Sequence, residues 1–155
     1  MSNDNEIQQL IRIYAIVVSA IFLYWTILKS RSKTWDITRN DVLNETVIAS
    51  PIGNISWWPL SHFIFNALLG FFYPNKGVFI LSAGVLWEFV EIVLGMIAKR
   101  LTAARTTKLA ADTEDGERAK DLQYTDGWWA GSVQDVVFNT AGFFTGKALR
   151  QFLSK

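Results

Sequence analysis

The sequence predicts an all-α, polytopic membrane protein folded as a four-transmembrane-helix bundle. Three observations point there. Of the 155 residues, 50% are hydrophobic and 19% charged. The charges crowd into residues 29–45 and 99–126, leaving long apolar runs between them. Those runs come close to the roughly 20 mainly apolar residues that a bilayer-spanning helix needs.

The first helix is expected over about residues 7–28, around the uninterrupted run YAIVVSAIFLYWTIL. Asp4 and Glu6 precede it instead of Lys or Arg, and no small-residue cleavage site follows. It therefore reads as a retained helix and not as a secretory signal. The second is expected over 56–73, with Pro59 near its start, where a missing N–H costs nothing. The third covers 77–98 and the fourth 128–152. Residues 29–55 and 99–127 are then loops. The chain shows no internal repeat and is short for two domains, so it reads as one membrane domain.

Lys and Arg suggest an orientation. Lys29, Arg31, Lys33 and Arg39 follow the first helix, and Lys99, Arg100, Arg105, Lys108, Arg118 and Lys120 follow the third. Short basic loops stay cytoplasmic. Four helices put both basic loops on that side and both termini on the other. Trp25, Trp57, Trp58, Trp128 and Trp129 fall at the same ends, as interfacial tryptophans do. The sequons Asn44-Glu45-Thr46 and Asn54-Ile55-Ser56 would be silent in a cytoplasmic loop. There is no cysteine, which excludes disulfides, thiol catalysis and Cys-based zinc sites. A net charge of +1 gives no reason to expect nucleic acid.

Polar residues interrupt three of the four spans. Glu88 and Glu91 lie in GVFILSAGVLWEFVEIVLGMIA, Asp135 and Asn139 in the fourth helix, and His62 and Asn66 in the second. A charge near the bilayer centre costs roughly 3 kcal/mol or more. Such groups must satisfy one another, a metal or a polar ligand. Counting about 1.5 Å per residue from the cytoplasmic ends, His62, Asp135 and Glu91 lie roughly 8–10 Å deep. Glu88 and Asn139 come one turn deeper. Antiparallel helices thus deliver their polar groups to one layer.

The faces agree with the depths. Glu88 and Glu91 are i, i+3 neighbours, on a stripe continued by Gly84 and Gly95. Gly131, Asp135, Asn139, Gly142 and Gly146 form a second stripe, and small residues let membrane helices approach closely. His62 and Asn66 share a face of the second helix. Three carboxylates and an amide oxygen suit a hard divalent cation: Ca²⁺ first, then Mg²⁺ or Mn²⁺. Glu88, Glu91 and Asp135 are the candidate metal ligands. His62 is a candidate general acid/base, since imidazole titrates near neutral pH. Asn66 and Asn139 are candidate substrate-binding residues. A site at this depth lies close to lipid phosphates, so the expected partner is a membrane lipid. Four helices are few for enclosing both a lipid and a polar acceptor, so self-association is also open.

Each feature has a plainer reading. His62 can be a structural hydrogen-bonder, the glycine stripes can be packing alone, and the carboxylates can be held by a bundle cation such as Lys147 or Arg150. Trp128 and Trp129 read as interface anchors, and residues 102–126 as a solvated loop or surface helix.

The order His62, Trp87-Glu88-x-x-Glu91, Trp128-Trp129, Asp135 and then an asparagine and glycines resembles the core of the base-exchange phosphatidylserine synthases. That resemblance covers residues 56–150. It implies a calcium-dependent exchange of phospholipid head groups, with Glu88, Glu91 and Asp135 at the metal and His62 with Asp135 serving the exchange. Ala130 stands where that family has an acid, and the Asp135-to-Asn139 gap is one residue shorter. The run Asp135-x-x-x-Asn139-x-x-Gly142-x-x-x-Gly146 is similar also to VanZ-like membrane proteins. That implies a non-enzymatic lipid- or amphiphile-binding protein. A third expectation is a scaffold whose polar cluster only joins helices.

Overall fold

The computed structural model describes residues 3–31, 41–49, 54–112 and 133–155. Among these the chain forms four α-helices and one small hairpin. They are α1 (Asn3–Arg31), a 3-10 turn (Val42–Asn44), β1 (Thr46–Ile48), β2 (Ile55–Ser56), α2 (Trp57–Phe72), α3 (Gly77–Asp112) and α4 (Val133–Leu153). The all-α expectation holds apart from the hairpin. There β1 pairs antiparallel with β2, Thr46 opposite Ser56 and Ile48 opposite Ile55. The β-branched run Thr46-Val47-Ile48 favours extended backbone.

Two boundaries differ from expectation. α1 begins about one turn early, with Asp4 and Glu6 in its first turn and Lys29 and Arg31 in its last. Those charges complement the helix dipole at both ends. The larger correction concerns residues 99–127, expected as a loop: α3 continues to Asp112 and is 36 residues long. The sequence from Lys99 to Ala111 has neither glycine nor proline and is rich in Ala, Leu, Lys and Arg, all good helix formers. Charge marks where the apolar run ends, not where the helix does. The rest of that loop, the Trp128-Trp129 pair and Gly131 lie outside the described residues.

The helices alternate in direction, as their end contacts show. At one end, Lys76 in the α2–α3 turn pairs with Glu6 at 3.3 Å. Beside it the Tyr73 hydroxyl donates to Gln9 Oε1 at 3.2 Å. Arg150 of α4 donates to the Phe71 and Phe72 carbonyls at the C-terminus of α2. These acceptors are among the carbonyls a helix leaves without internal partners. At the other end, buried Asp41 accepts from the Tyr24 hydroxyl at 2.7 Å, Trp58 Nε1 at 2.9 Å and its own turn through Leu43 N–H at 2.9 Å. This carboxylate ties α1, the 3-10 turn and α2 together.

α2 and α4 form the closest pair. Glycine makes the approach possible. A Cβ at Gly142 would meet the Phe63 carbonyl, one at Gly146 the Ala67 carbonyl, and one at Gly70 the Phe143 carbonyl. By contrast α1 stands off, held at a distance by large side chains. Tyr14 packs edge-on against Phe65 and Phe79 and donates to the Ile80 carbonyl at 3.2 Å.

Two apolar clusters result. Leu10, Leu69, Ile80 and Phe143 pack near the Lys76 end. Leu28 packs near the Asp41 end with Trp25, Trp58, Trp87 and Leu94 around it. The sequence positions of His62, Asn66, Glu88, Asp135 and Asn139 put them between the two. Elsewhere the usual distribution is inverted. Asn66, Glu88, Asp135 and Asn139 are buried, while Ile16, Leu23, Leu68, Phe72, Leu86, Phe89, Phe144 and Phe152 are exposed. Two helical segments, Asp4–Arg31 and Gly77–Ile97, are long and apolar enough to cross a membrane.

Two stability outcomes follow. In Gly146→Ala the new methyl meets backbone that cannot yield. Thermal unfolding should show a loss of roughly 1–3 kcal/mol. Asp41→Ala leaves the Tyr24 and Trp58 donors without their shared acceptor. It should cost about 2–4 kcal/mol in the same measurement. A neutral result for either would remove the packing or the anchoring role assigned above.

Candidate functional site

Each polar residue reaches the bundle interior for a local reason. On α2, His62 and Asn66 are one turn apart, and Asn66 Nδ2 donates to the His62 carbonyl at 3.0 Å. The same Nδ2 donates to Asn139 Oδ1 of α4. Asn139 also takes part in a side-chain hydrogen bond with His62. The Asn139 amide in turn faces Gly84, where a Cβ would come within 3.2 Å of Nδ2. Gly84 thus leaves room on α3 for an amide that α4 supplies.

The acidic residues close on this amide pair. His62 Nδ1 lies 3.8 Å from Glu88 Oε1. Ligand atoms of His62, Glu88 and Asp135 all lie within 4.8 Å of one another. Glu88 and Asp135 are buried and His62 is half-buried. Asp135 Oδ1 is buried and accepts no hydrogen bond among the described residues. A buried carboxylate oxygen without a donor is costly, which is the condition a cation relieves.

Geometry and donor chemistry both admit a metal. Two ligands of one ion can stand no further apart than twice the metal–ligand bond, roughly 4–5 Å for Mg²⁺ or Ca²⁺. The 4.8 Å spread is within reach of a Ca²⁺-sized ion and exceeds the roughly 4.2 Å that Mg²⁺ spans. One imidazole and two carboxylates form a mixed nitrogen–oxygen set. The carboxylates suit Ca²⁺, and the imidazole is a donor that transition ions such as Mn²⁺ also accept.

Of the six residues singled out in the sequence, the structure brings five together: His62, Asn66, Glu88, Asp135 and Asn139. Glu91 lies at the edge. It is half-buried, takes a side-chain hydrogen bond from Trp87 and feels the charges of Glu88 and Asp135, but is not one of the three residues whose donor atoms converge. Gly142 and Gly146 serve the α2–α4 contact.

An apolar cavity of about 410 Å³ adjoins the cluster. Val17, Val18 and Ile21 of α1 wall one side, Phe65 of α2 and Val90 of α3 the others. His62, Asn66 and Asn139 line it as well, so the polar cluster and the cavity share three residues. Asp41, one acid within a charged stretch, and the cavity, which depends on α1 standing off, leave no mark in the residue pattern.

Compared with models of protein families, with curated proteins and with solved structures, the chain matches none of them.

The cation reading has a direct measurement. Mn²⁺ at 100 times its dissociation constant should stabilise the wild-type protein by about 2.7 kcal/mol over the EDTA-treated state. Glu88→Gln and Asp135→Asn should lose that shift, and Glu91→Gln should keep most of it. No shift with Mn²⁺, Mg²⁺ or Ca²⁺ would leave the cluster a purely structural junction.

Proposed function

We propose that this chain is a four-helix integral membrane protein that binds a divalent cation at Glu88 and Asp135, beside His62, and transfers the head group of a phospholipid. The observation that carries this reading is the junction at His62 of a carboxylate-rich cluster with an apolar cavity. A phospholipid has the matching division: an anionic phosphate for the cluster and hydrocarbon for the cavity. The order of residues resembling base-exchange phosphatidylserine synthases supports the same chemistry.

Membrane embedding by all four helices is part of the proposal. α2 has only 16 residues, short for the roughly 20 a span needs. Yet its outer positions Ile64, Leu68 and Phe72 are exposed, as are Val137, Phe144 and Phe152 of α4. Exposed apolar surface of this extent marks contact with lipid or another protein. With the basic loops cytoplasmic, the cluster lies in the cytoplasmic half of the bilayer.

In the exchange, the oxygen of an incoming alcohol forms a bond to phosphorus. The bond from phosphorus to the original head-group oxygen breaks. His62 takes the proton from the incoming hydroxyl and returns it to the departing oxygen. A cation held by Glu88 and Asp135 would supply charge neutralisation at the phosphate. Asn139 holds the His62 side chain in place from α4 by a side-chain hydrogen bond.

A second reading has one observation in its favour. The glycines of the VanZ-like run serve packing alone, so a protein that only binds an amphiphile would need the same fold. Exchange of labelled serine or ethanolamine into reconstituted phospholipid vesicles separates the two. Exchange is expected to require a divalent cation, and His62→Gln should slow it roughly 10²–10⁴-fold. Cation-independent incorporation, or normal rates in His62→Gln and Asp135→Asn, would sink the enzymatic reading.

A further inference from the structure

We propose that a basic pocket at the C-terminal end of α4 binds the phosphate of an anionic phospholipid. The inference rests on the membrane-embedded reading above, but on neither the cation nor the exchange reaction.

The pocket opens at the Lys76 end of the bundle, between the α2–α3 turn and the last turns of α4. Its volume is about 630 Å³. Lys147, Arg150 and Lys155 bring three positive charges to it, and among the described residues no Asp or Glu lines it. Asp4 and Glu6 stand in the first turn of α1, at the same end. Glu6 is already taken by Lys76 at 3.3 Å.

Helix capping explains only part of this charge. Arg150 stands in the last turn of α4 and donates to the Phe71 and Phe72 carbonyls. Lys147 comes more than one turn before Leu153, beyond the reach of the helix dipole. It is half-buried and pairs with no carboxylate among the described residues. An ammonium group drawn partly out of water gains from a counter-ion. Orientation does not explain the cluster either. With the basic loops cytoplasmic, this end faces the other side, where the same rule favours few cations.

The rim of the pocket selects the ligand. Phe152 lines it and is 74% exposed, and Leu149 and Leu153 beside it are exposed as well. In a bilayer these side chains meet hydrocarbon, while long cationic side chains reach outward to the head groups. An anion arriving in this layer with its own hydrocarbon is a lipid. Phosphatidylcholine sets a cation beside its phosphate and has no net charge to offer. Phosphatidylglycerol lacks that cation and keeps its negative charge for the lysines. Asn75 and Gln151 line the same pocket and carry amide N–H groups suited to phosphate oxygens.

The test takes the full chain from nanodiscs of equal phosphatidylcholine and phosphatidylglycerol and counts the retained lipids by native mass spectrometry. Each Lys or Arg near an anionic head group is worth roughly a fivefold preference. The wild-type protein should therefore retain phosphatidylglycerol over phosphatidylcholine by roughly tenfold or more. Lys147→Gln should cut that preference roughly fivefold, and Lys147→Arg should keep it. Lys155→Gln changes an exposed position outside the packing and should cut it too. Lys29→Gln, at the other end of the bundle, should change it far less. An unchanged preference in both Lys147→Gln and Lys155→Gln overturns the pocket as the site, as does an equal loss in Lys29→Gln. Inorganic phosphate, added to the protein in phosphatidylcholine nanodiscs, is the arm for a free anion. A rise in Tm equal to that given by phosphatidylglycerol would overturn the lipid as the ligand. Lys147 lies roughly 18 Å along α4 from Asp135, so Lys147→Gln should keep any Mn²⁺ shift. A phosphatidylglycerol preference without any Mn²⁺ shift leaves this inference standing and removes the cation reading.

Discussion

The glycine-mediated contact between α2 and α4 governs the rest of the molecule. Gly70, Gly142 and Gly146 let the two backbones meet where any side chain would strike a carbonyl. Only at that separation can Asn66 and Asn139 share a hydrogen bond across the interface. Asp135, one turn before Asn139, is carried to His62 by the same contact. α3 then adds Glu88 from the side, with Gly84 leaving space for the Asn139 amide. The cluster is thus a product of backbone proximity, and its geometry is as firm as the packing below it.

The first helix obeys a different rule. Tyr14, Trp58 and Trp87 are large, and α1 rests on such side chains instead of meeting another backbone. The gap this leaves becomes the apolar cavity. Small residues on one side of α2 and large ones on the other therefore produce, respectively, a tight polar junction and an open hydrocarbon pocket. His62 and Asn66 sit where the two meet, which gives the bundle its amphiphilic character.

Much of this was legible in the sequence because both membrane depth and helix face follow from residue spacing. The convergence of His62, Glu88, Asp135 and Asn139 could be counted out at a fixed rise per residue. So could the stripe Gly142, Gly146. The exclusion of Glu91 from the inner group could not. It shares a face with Glu88 and feels the charges of Glu88 and Asp135, but its carboxylate takes the hydrogen bond of Trp87. The extension of α3 to Asp112 was obscured because hydropathy marks the limits of an apolar run, whereas helix propensity continues past it. Asp41 was invisible for a third reason: its partners Tyr24 and Trp58 are each 17 residues away, and no local pattern signals such a tie.

The standing-off of α1 bears on how the protein is made. During synthesis α1 emerges before the other three helices, yet the surfaces it docks against are built from α2, α3 and their turn. Its fastenings to Lys76, Tyr73, Asp41 and Ile80 all come later in the chain. The close pair α2–α4 is completed only when the last helix arrives. The earliest of these four helices is therefore among the last to settle, and in the proposed membrane setting it would wait in the bilayer as an isolated span. Its long apolar run suits it to that interval, because a helix made to wait in lipid must be stable there by itself.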